Sequence, residues 1–496
     1  MKNTRIGVLD IGSNSVRFVI YEYFGAHFTA VYNEKILAGL GRELRDTGNL
    51  SETGKKLTFD SLRRFKAIAE AQGLGKLLIG ATAALRAAKD APAFIRRVKD
   101  EIGLDISPIS GKEEARLTAM GMLAADPRAE GLAADLGGAS LEFVHVHAAE
   151  AAEGVSFKLG PFEVLGSEPA KAENFTNKAI KAKIETKLAQ LDFGKFQGQA
   201  LHLIGGAWRN LAGVHQKRHN YPMRTLQAYR LSAEEAQELA VWAYCEGREE
   251  ILAWPGINNR RAETLPYSGY ILNMIIERMA PSVVVISTTG LREGLVYDAM
   301  DPQLRARDGL MDGCRDLARG NLQAVHFAQP LYGFLRQAAA HFPAFFEREN
   351  EQRLQRAACH LAGIGKGLHP DYRADLVFDD VLYAPIAGLS HQERAYLALI
   401  LFSSYTGKSL PKNRAAVEAL LTEEARLCAR TYGAAMRLAI VATGRSADLL
   451  KDFRLSVTNG ALQLTVDPSK AALLSERVTY RLGKLAQLSE MPVYSA

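Results

Sequence analysis

Two stretches of the chain repeat one another, and few folds accommodate such a pair. Asp10-Ile11-Gly12-Ser13-Asn14-Ser15-Val16-Arg17-Phe18-Val19 aligns with Asp135-Leu136-Gly137-Gly138-Ala139-Ser140-Leu141-Glu142-Phe143-Val144 at an offset of 125 residues, with Asp, Gly, Ser, Phe and Val at matching places. Each copy is an apolar run ending in Asp, a turn of small residues, and a second apolar or alternating run. That pattern predicts strand, tight turn, strand. After the first copy, strands are expected at Phe28–Ile36, Leu77–Ile79 and Ile106–Ile109, with helices at Glu52–Gln72, Pro92–Ile102 and from Lys112. After the second, strands are expected at Val155–Lys158, Leu201–Ile204 and Val283–Ile286, with helices at Ala170–Leu191, Ala233–Glu249 and Arg260–Met279. Strands alternating with helices predict an α/β sheet in each half, hence two lobes, 1–126 and 127–301, around a cleft.

The character changes near Pro302. Leu331–Phe342, Arg353–Leu361, Gln392–Ser404 and Arg414–Val441 carry apolar residues at three and four spacing, which predicts a separate helical domain over 302–435. Two short strands flanking Asn459-Gly460, then a helix from Ala471, predict a small α/β domain over 436–496. At 48% hydrophobic and 23% charged residues, the 496-residue chain has the composition of packed domains. Its longest apolar runs, such as Val283-Val284-Val285-Ile286, fall far short of the ~20 residues a membrane span needs. The run behind Met1-Lys2-Asn3-Thr4-Arg5 stops at Asp10, too short for an export signal. The four cysteines match neither a zinc spacing nor a disulfide framework, so a reducing cytoplasm is expected. The net charge is +6, but residues 401–496 hold 13 Lys and Arg against 8 Asp and Glu. An excess of this kind suits an anionic ligand or simply a solvated surface, and Lys408, Lys412 and Arg414 form its densest cluster.

The twin turns offer chemistry beyond reversing a strand. Gly12, Ser13, Asn14 and Ser15 in one, and Gly137, Gly138, Ala139 and Ser140 in the other, present backbone amides and short polar side chains suited to phosphate oxygens. Turn formation alone does not call for an Asp at the head of both copies. Asp10 and Asp135, with Glu142 on the following strand, are therefore candidate holders of a hydrated Mg²⁺. In Ser110-Gly111-Lys112-Glu113-Glu114-Ala115 the S-x-x-E spacing of a capping box expects Glu113 to reach back to the helix start. Glu114 is then left free at the rim of the cleft to accept a proton from a water. On spacing alone, both glutamates remain ordinary first-turn acids complementing the helix dipole. Gly205-Gly206 ends a buried strand where ligands approach α/β sheets, and Arg86 is a candidate phosphate clamp.

Together Asp10–Ser15, Asp135–Ser140, Ser110–Ala115, Thr82–Arg86, Gly205-Gly206 and Gly290-Leu291-Arg292-Glu293-Gly294 resemble the motif set of bacterial exopolyphosphatases and guanosine pentaphosphate phosphohydrolases over residues 5–300. The resemblance implies the actin-like fold of sugar kinases and Hsp70-type ATPases, with Glu114 as base, the two loops on the terminal phosphates and Mg²⁺ near Asp135 and Glu142. The helical region resembles the family's HD-like domain. Its metal motif is degenerate: His360-Leu361 stands where a His-Asp pair is expected, and Phe402-Ser403-Ser404-Tyr405 offers no late histidine. A structural or polyanion-binding role follows for that domain.

The activity expected is Mg²⁺-dependent release of orthophosphate from the end of linear polyphosphate, with Lys408, Lys412 and Arg414 lining a groove for the chain. Hydrolysis of guanosine pentaphosphate is the rival. A sugar or acetate kinase and a non-catalytic polyphosphate or alarmone sensor are remoter alternatives. A homodimer is implied by the family, and neither nucleic acid nor membrane is expected as a partner.

Overall fold

The computed structural model describes residues 4–494 apart from 167–174, 176, 247, 255–256 and 258–261. The chain divides into two compact units, Met1–Ala306 and Arg307–Ala496.

In the first unit the repeated sequences form matching hairpins. Strands β1 (Thr4–Ile11) and β2 (Val16–Phe24) pair antiparallel with Asp10 opposite Arg17. Adding β3 (His27–Ile36) and β4 (Leu77–Ala81) gives a sheet of order β3-β2-β1-β4, in which β4 runs parallel to β1. The second copy forms β5 (Gly131–Leu136) and β6 (Leu141–His147), with Asp135 opposite Glu142. Around this pair stand β7 (Glu150–Ala151), β8 (Val155–Phe157), β9 (Ala200–Ile204), β10 (Tyr229–Leu231) and β11 (Val283–Ile286). Their order is β10-β11-β9-β5-β6-β7, with β8 also on β6 and β9 parallel to β5. The expected strand at Ile106–Ile109 reduces to one bridge between Ala81 and Pro108, since Pro108 has no amide to continue a ladder.

Helices α1 (Glu52–Ala71), α2 (Ala83–Ala87) and α3 (Ala91–Ile102) cover the first sheet. The side chain of Ser51 caps α1 by accepting from the Gly54 amide, and Phe59, Leu62, Phe65 and Ala69 recur on its inner face. Phe18 and Phe65, both fully buried, meet there with ring centroids 5.4 Å apart. Burial of each contributes about 2–3 kcal/mol. The second lobe carries α4 (Gly111–Ala125), α5 (Lys178–Leu188), α6 (Gly206–Arg218), α7 (Ala233–Cys245) and α8 (Leu265–Met279). The expected helix at Ala170–Leu191 begins at Lys178, where Asn177 caps it, and the residues expected to open it lie outside those described, as does Arg260.

The two lobes exchange helices. Although α4 precedes residue 127, its Ala115, Ala119 and Met122 pack with Ala133, Val144 and Val146 of the second sheet. Helix α9 (Leu291–Asp298) precedes residue 302, yet Val296 and Met300 pack with Ile6, Val8 and Val19 of the first. Each of these helices thus packs on the sheet of the other sequence half, since periodicity shows that a helix has an apolar face but not which sheet receives it. Where α4 and α9 cross, a Cβ at Gly294 would fall 1.7 Å from the Leu117 carbonyl oxygen, and one at Gly121 would fall 2.0 Å from that of Gly290.

The second unit contains α10 (Gly309–Ala318), α11 (Leu322–Ala339), α12 (Arg348–Leu361), α13 (Arg373–Tyr383), α14 (His391–Tyr405), α15 (Glu423–Thr443) and α16 (Glu476–Ser489). Helix α14 is buried on nearly every side, as an element at the centre of a helical core should be. The helix expected over Arg414–Val441 breaks at Leu421, because the Thr422 hydroxyl accepts from the Ala425 amide and starts α15 afresh. The expected boundary at 435/436 falls inside α15. Strands β12 (Phe453–Thr458) and β13 (Ala461–Val466) form the hairpin, Asn459 and Gly460 both taking positive φ as its two-residue turn requires. No helix among the described residues is long and apolar enough to cross a membrane.

The helix crossing generates a stability prediction. Gly294→Ala should destabilise the first unit by at least ~2 kcal/mol, because backbone rather than a flexible side chain must yield. Gly213→Ala, with nothing within 4 Å of its added Cβ in the interior of α6, should gain about 0.5–1 kcal/mol. Thermal melting of the two variants beside wild type checks both signs.

Candidate active site

The duplication extends to what stands behind each loop. The Gly12 amide donates to the Ser15 carbonyl and the Gly137 amide to the Ser140 carbonyl, both at 3.0 Å. Behind the first loop, the amides of Gly39 and Gly41 donate to the carbonyls of Asn14 (3.0 Å) and Ser13 (2.7 Å). Behind the second, the amides of Gly160 and Phe162 donate to the carbonyls of Ala139 (3.0 Å) and Gly138 (2.9 Å). The loop carbonyls are thereby engaged by the backing segments. The amides of Ser13, Asn14, Gly138 and Ala139 donate to no backbone carbonyl among the described residues, which leaves them as donors for an anion.

Four carboxylates gather near these loops. Asp10 and Asp135 sit near the ends of β1 and β5, Glu142 is the second residue of β6, and Glu114 lies in the first turn of α4. The Ser110 hydroxyl accepts from the Glu113 amide at 3.1 Å, the expected half of the capping box. Glu113 does not return the bond: its carboxylate takes a fork from Arg116 at 2.9 and 2.8 Å, and Arg116 also reaches Asp298 at 2.9 Å. A charged fork outcompetes a single neutral amide for that carboxylate. Glu114 is free of the cap, as expected, and accepts from Arg86 Nη1 at 3.1 Å, while the same nitrogen donates to the Ile109 carbonyl at 2.7 Å.

Burial dominates the ionisation of this cluster. It pushes Glu114 up to about 7 against the pull of Arg86, with the negative fields of Asp135 and Asp10 adding to the rise. Asp135 rises to about 6, again through burial, opposed by Arg209 and raised further by Asp10. Asp10 is raised by burial against the pull of Arg292 and Arg17. Glu142 is held well above the ordinary carboxylate range by burial and then by Glu114 and Asp135, while the Ser156 hydroxyl donates to it at 2.7 Å. Gly205, with φ of +114°, brings its backbone against this group: a Cβ there would fall 3.0 Å from Asp135 Oδ1.

Three arginines that sequence reasoning did not assign to the site complete it. Arg17 takes the place in the first hairpin that Glu142 takes in the second, so the duplicated frame carries opposite charges at one register position. Arg292 follows Gly290 in the first turn of α9, and Arg209 lies in the first turn of α6, where Nη1 donates to the Thr288 carbonyl at 2.8 Å. Their signal was position: Arg209 and Arg292 each follow a glycine at a strand-to-helix turn, and Arg17 stands at the repeat position of Glu142.

The sequence profile of the Ppx/GppA phosphatase family matches residues 19–303, and that of the exopolyphosphatase C-terminal region matches residues 310–493. The chain belongs to the Ppx/GppA phosphatase family. The crystal structure of an exopolyphosphatase from Cytophaga hutchinsonii is 24% identical with a TM-score of 0.55, covering 60% of this chain and 99% of that one. The crystal structure of the Aquifex aeolicus Ppx/GppA family member is 22% identical with a TM-score of 0.52, covering 60% and 97%. These likenesses show the two-lobed actin-like fold.

In this Ppx/GppA family member the described residues contain no group of three or more His, Cys, Asp or Glu side chains arranged to hold a metal ion. The expected trio of Asp10, Asp135 and Glu142 therefore does not form a three-ligand site of that kind, Glu142 being turned to Ser156. In the second unit His360 is buried in α12, and burial, followed by Arg315 and Arg356, pushes it down to about 4. Lys408, Lys412 and Arg414 have different surroundings. Lys408 lines a cavity, the Lys412 ammonium lies 5.0 Å from the centre of the Tyr372 ring, and Arg414 pairs with Glu418 at 3.5 Å.

A pH dependence of stability follows from Glu114. Its folded pKa stands above the ordinary 4.5, so its favourable contribution is complete below pH 4.5 and is lost as pH rises to about 7. Glu114→Gln should melt close to wild type at pH 4.5 and above it at pH 8, with the gap opening between those values. Melting temperatures across that range measure the gap.

Proposed function

We propose that this family member is an exopolyphosphatase that releases orthophosphate from the end of linear polyphosphate, with Glu114 as general base. The observation that carries the reading is the largely covered Glu114 carboxylate, outside the helix cap, held by Arg86 and poised near pH 7 beside the two hairpin loops. In this reading the free loop amides of Ser13, Asn14, Gly138 and Ala139 hold the terminal phosphate. Glu114 takes a proton from a water, whose oxygen bonds to the terminal phosphorus as the bridging P–O bond breaks. Orthophosphate and a chain shorter by one unit result. Arg86 orients the base and can share its remaining donors with the phosphoryl oxygens.

The carboxylates fit a divalent cation as well. Asp10 and Asp135 are buried deeply enough that desolvation outweighs the arginines around them, leaving two acids whose ionised forms a cation would favour. Mg²⁺ binds through one or two carboxylates and keeps waters and phosphate oxygens as its other ligands, so a three-carboxylate cluster is not required. Asp10 and Asp135 would hold it, and it would supply neutralisation of the charge developing on the transferred phosphoryl group.

Phosphate release measured side by side on long polyphosphate, tripolyphosphate, guanosine pentaphosphate and ATP tests the substrate. Polyphosphate should give the highest kcat/KM, and a higher value for guanosine pentaphosphate would replace the reading with that of the nucleotide phosphohydrolase. Glu114→Gln should lower turnover at least ~10²-fold with polyphosphate binding retained. It should also remove the acidic limb of the kcat/KM profile expected near pH 7. Glu113→Gln, which loosens only the Arg116 link, should remain active, and the opposite outcome for the two glutamates would reverse the assignment.

A further inference from the structure

Of Arg17, Arg86, Arg209 and Arg292, only Arg292 has no hydrogen bond or ion pair on its guanidinium among the described residues. Arg17 Nε donates to Asn33 Oδ1 at 2.7 Å, Arg86 to Glu114 and the Ile109 carbonyl, and Arg209 to the Thr288 carbonyl. The positive charge of Arg292 nevertheless acts on both Asp10 and Asp135, so it stands among the buried acids with its donors free. Its aim therefore depends on how its backbone is fixed. The crossing at Gly121 and Gly294 sets the spacing of α9 from α4, but contact between glycines does not set the rotation of α9 about its own axis. Glu293, the next residue, has the bonds to do so. Its Oε2 accepts from the Gly290 amide at 2.9 Å, and its Oε1 accepts from the Tyr21 hydroxyl at 2.5 Å. Tyr21 is buried on β2, on the same face as Arg17, and packs with Val19, Val296 and Met300. The Phe28 ring meets it edge-on at 5.6 Å. Burial, and then Glu293, keep the Tyr21 hydroxyl protonated and hence a donor. A polar pair in that apolar layer carries a desolvation cost that apolar side chains would avoid. The helix cap occupies one carboxylate oxygen only, so capping does not account for Tyr21.

We propose that Tyr21 and Glu293 are a positioning pair: their bond fixes the first turn of α9 on β2 and so holds Arg292, beside Arg17, toward the anionic substrate. The pair also answers an electrostatic problem. Burial works against the charge of Arg17, the charge of Arg292 works the same way, and Glu293 leads the groups that oppose them. On Arg292 burial is opposed first by Glu293 and then by Asp10. Glu293 thus offsets the repulsion between two guanidinium groups while bonding to neither, which leaves their donors for a ligand. The inference rests on the reading of this cleft as a phosphoanhydride-hydrolysing site, and on no choice between its substrates.

A double-mutant cycle on the full chain tests the pair, with phosphate release measured on long polyphosphate and guanosine pentaphosphate and the cycle read on the faster substrate. Tyr21→Phe keeps the ring and its packing and removes the donor. It should raise KM at least ~5-fold with kcat within about 2-fold, because an arginine bonded to phosphate in ground and transition states alike contributes uniform binding. In an Arg292→Gln background the same substitution should change KM less than ~2-fold, since the pair then has nothing to aim. Glu293→Gln keeps the size of the side chain but a single acceptor oxygen. It should reproduce both results, and it keeps the test available if Tyr21→Phe melts early. An unchanged KM in Tyr21→Phe would overturn the proposal. So would an equal rise with and without Arg292, which is what lost packing alone produces. Faster turnover of guanosine pentaphosphate would remove the exopolyphosphatase reading, and the same two results on that substrate would still decide the role of Tyr21 and Glu293.

Discussion

Two helix backbones touch where Gly294 meets Leu117 and Gly121 meets Gly290, and the active-site chemistry hangs on that contact. Helix α4 carries Glu114 in its first turn and α9 carries Arg292 in its own, each helix resting on one sheet while crossing the other's partner. Without the close approach, the ends of the helices would splay, and the carboxylates would no longer feel the arginines of the opposite lobe. A glycine at the crossing thus acts at a distance: it is small so that charges several residues away can be near. The exchange of helices also ties the two sheets together, because neither lobe has a complete hydrophobic cover from its own sequence half.

What that contact assembles is electrostatically costly. Asp10, Asp135, Glu142 and Glu114 are all raised by burial and most raise one another, so folding places several acids where their charged forms are disfavoured. Arg17, Arg86, Arg209 and Arg292 offset part of this and do not cancel it. A purely structural cluster would be expected to evolve toward full pairing or neutral side chains. Retained imbalance is the signature of a site whose missing partner arrives with the ligand.

The hairpins, their parallel neighbours β4 and β9, and the release of Glu114 from the helix cap were legible because each follows from local pattern: period-two burial, a small-residue turn, a capping serine. What failed was whatever depends on competition between distant groups. Glu113 satisfies the spacing of a capping box but meets Arg116, which bonds it more strongly than an amide does. Ile106–Ile109 has strand composition, and Pro108 withholds the donor. Lys408, Lys412 and Arg414 are dense in sequence, yet only Lys408 of the three lines the cationic cavity, whose other basic members lie on two helices, α15 and α16, distant in the chain. Charge density along a chain locates a basic surface only when the fold keeps sequence neighbours on one face.

The two units therefore present the same physical situation with opposite sign. In the first, buried acids outnumber what their arginines can offset; in the second, arginines and lysines line a cavity that holds no acid. Each is a local strain in the unliganded fold that an ion of the other sign would relieve. By mass action, any ligand that binds only the folded chain adds RT ln(1 + [L]/Kd) to its stability. A mild net charge of +6 thus conceals two local imbalances of opposite sign, one in each unit.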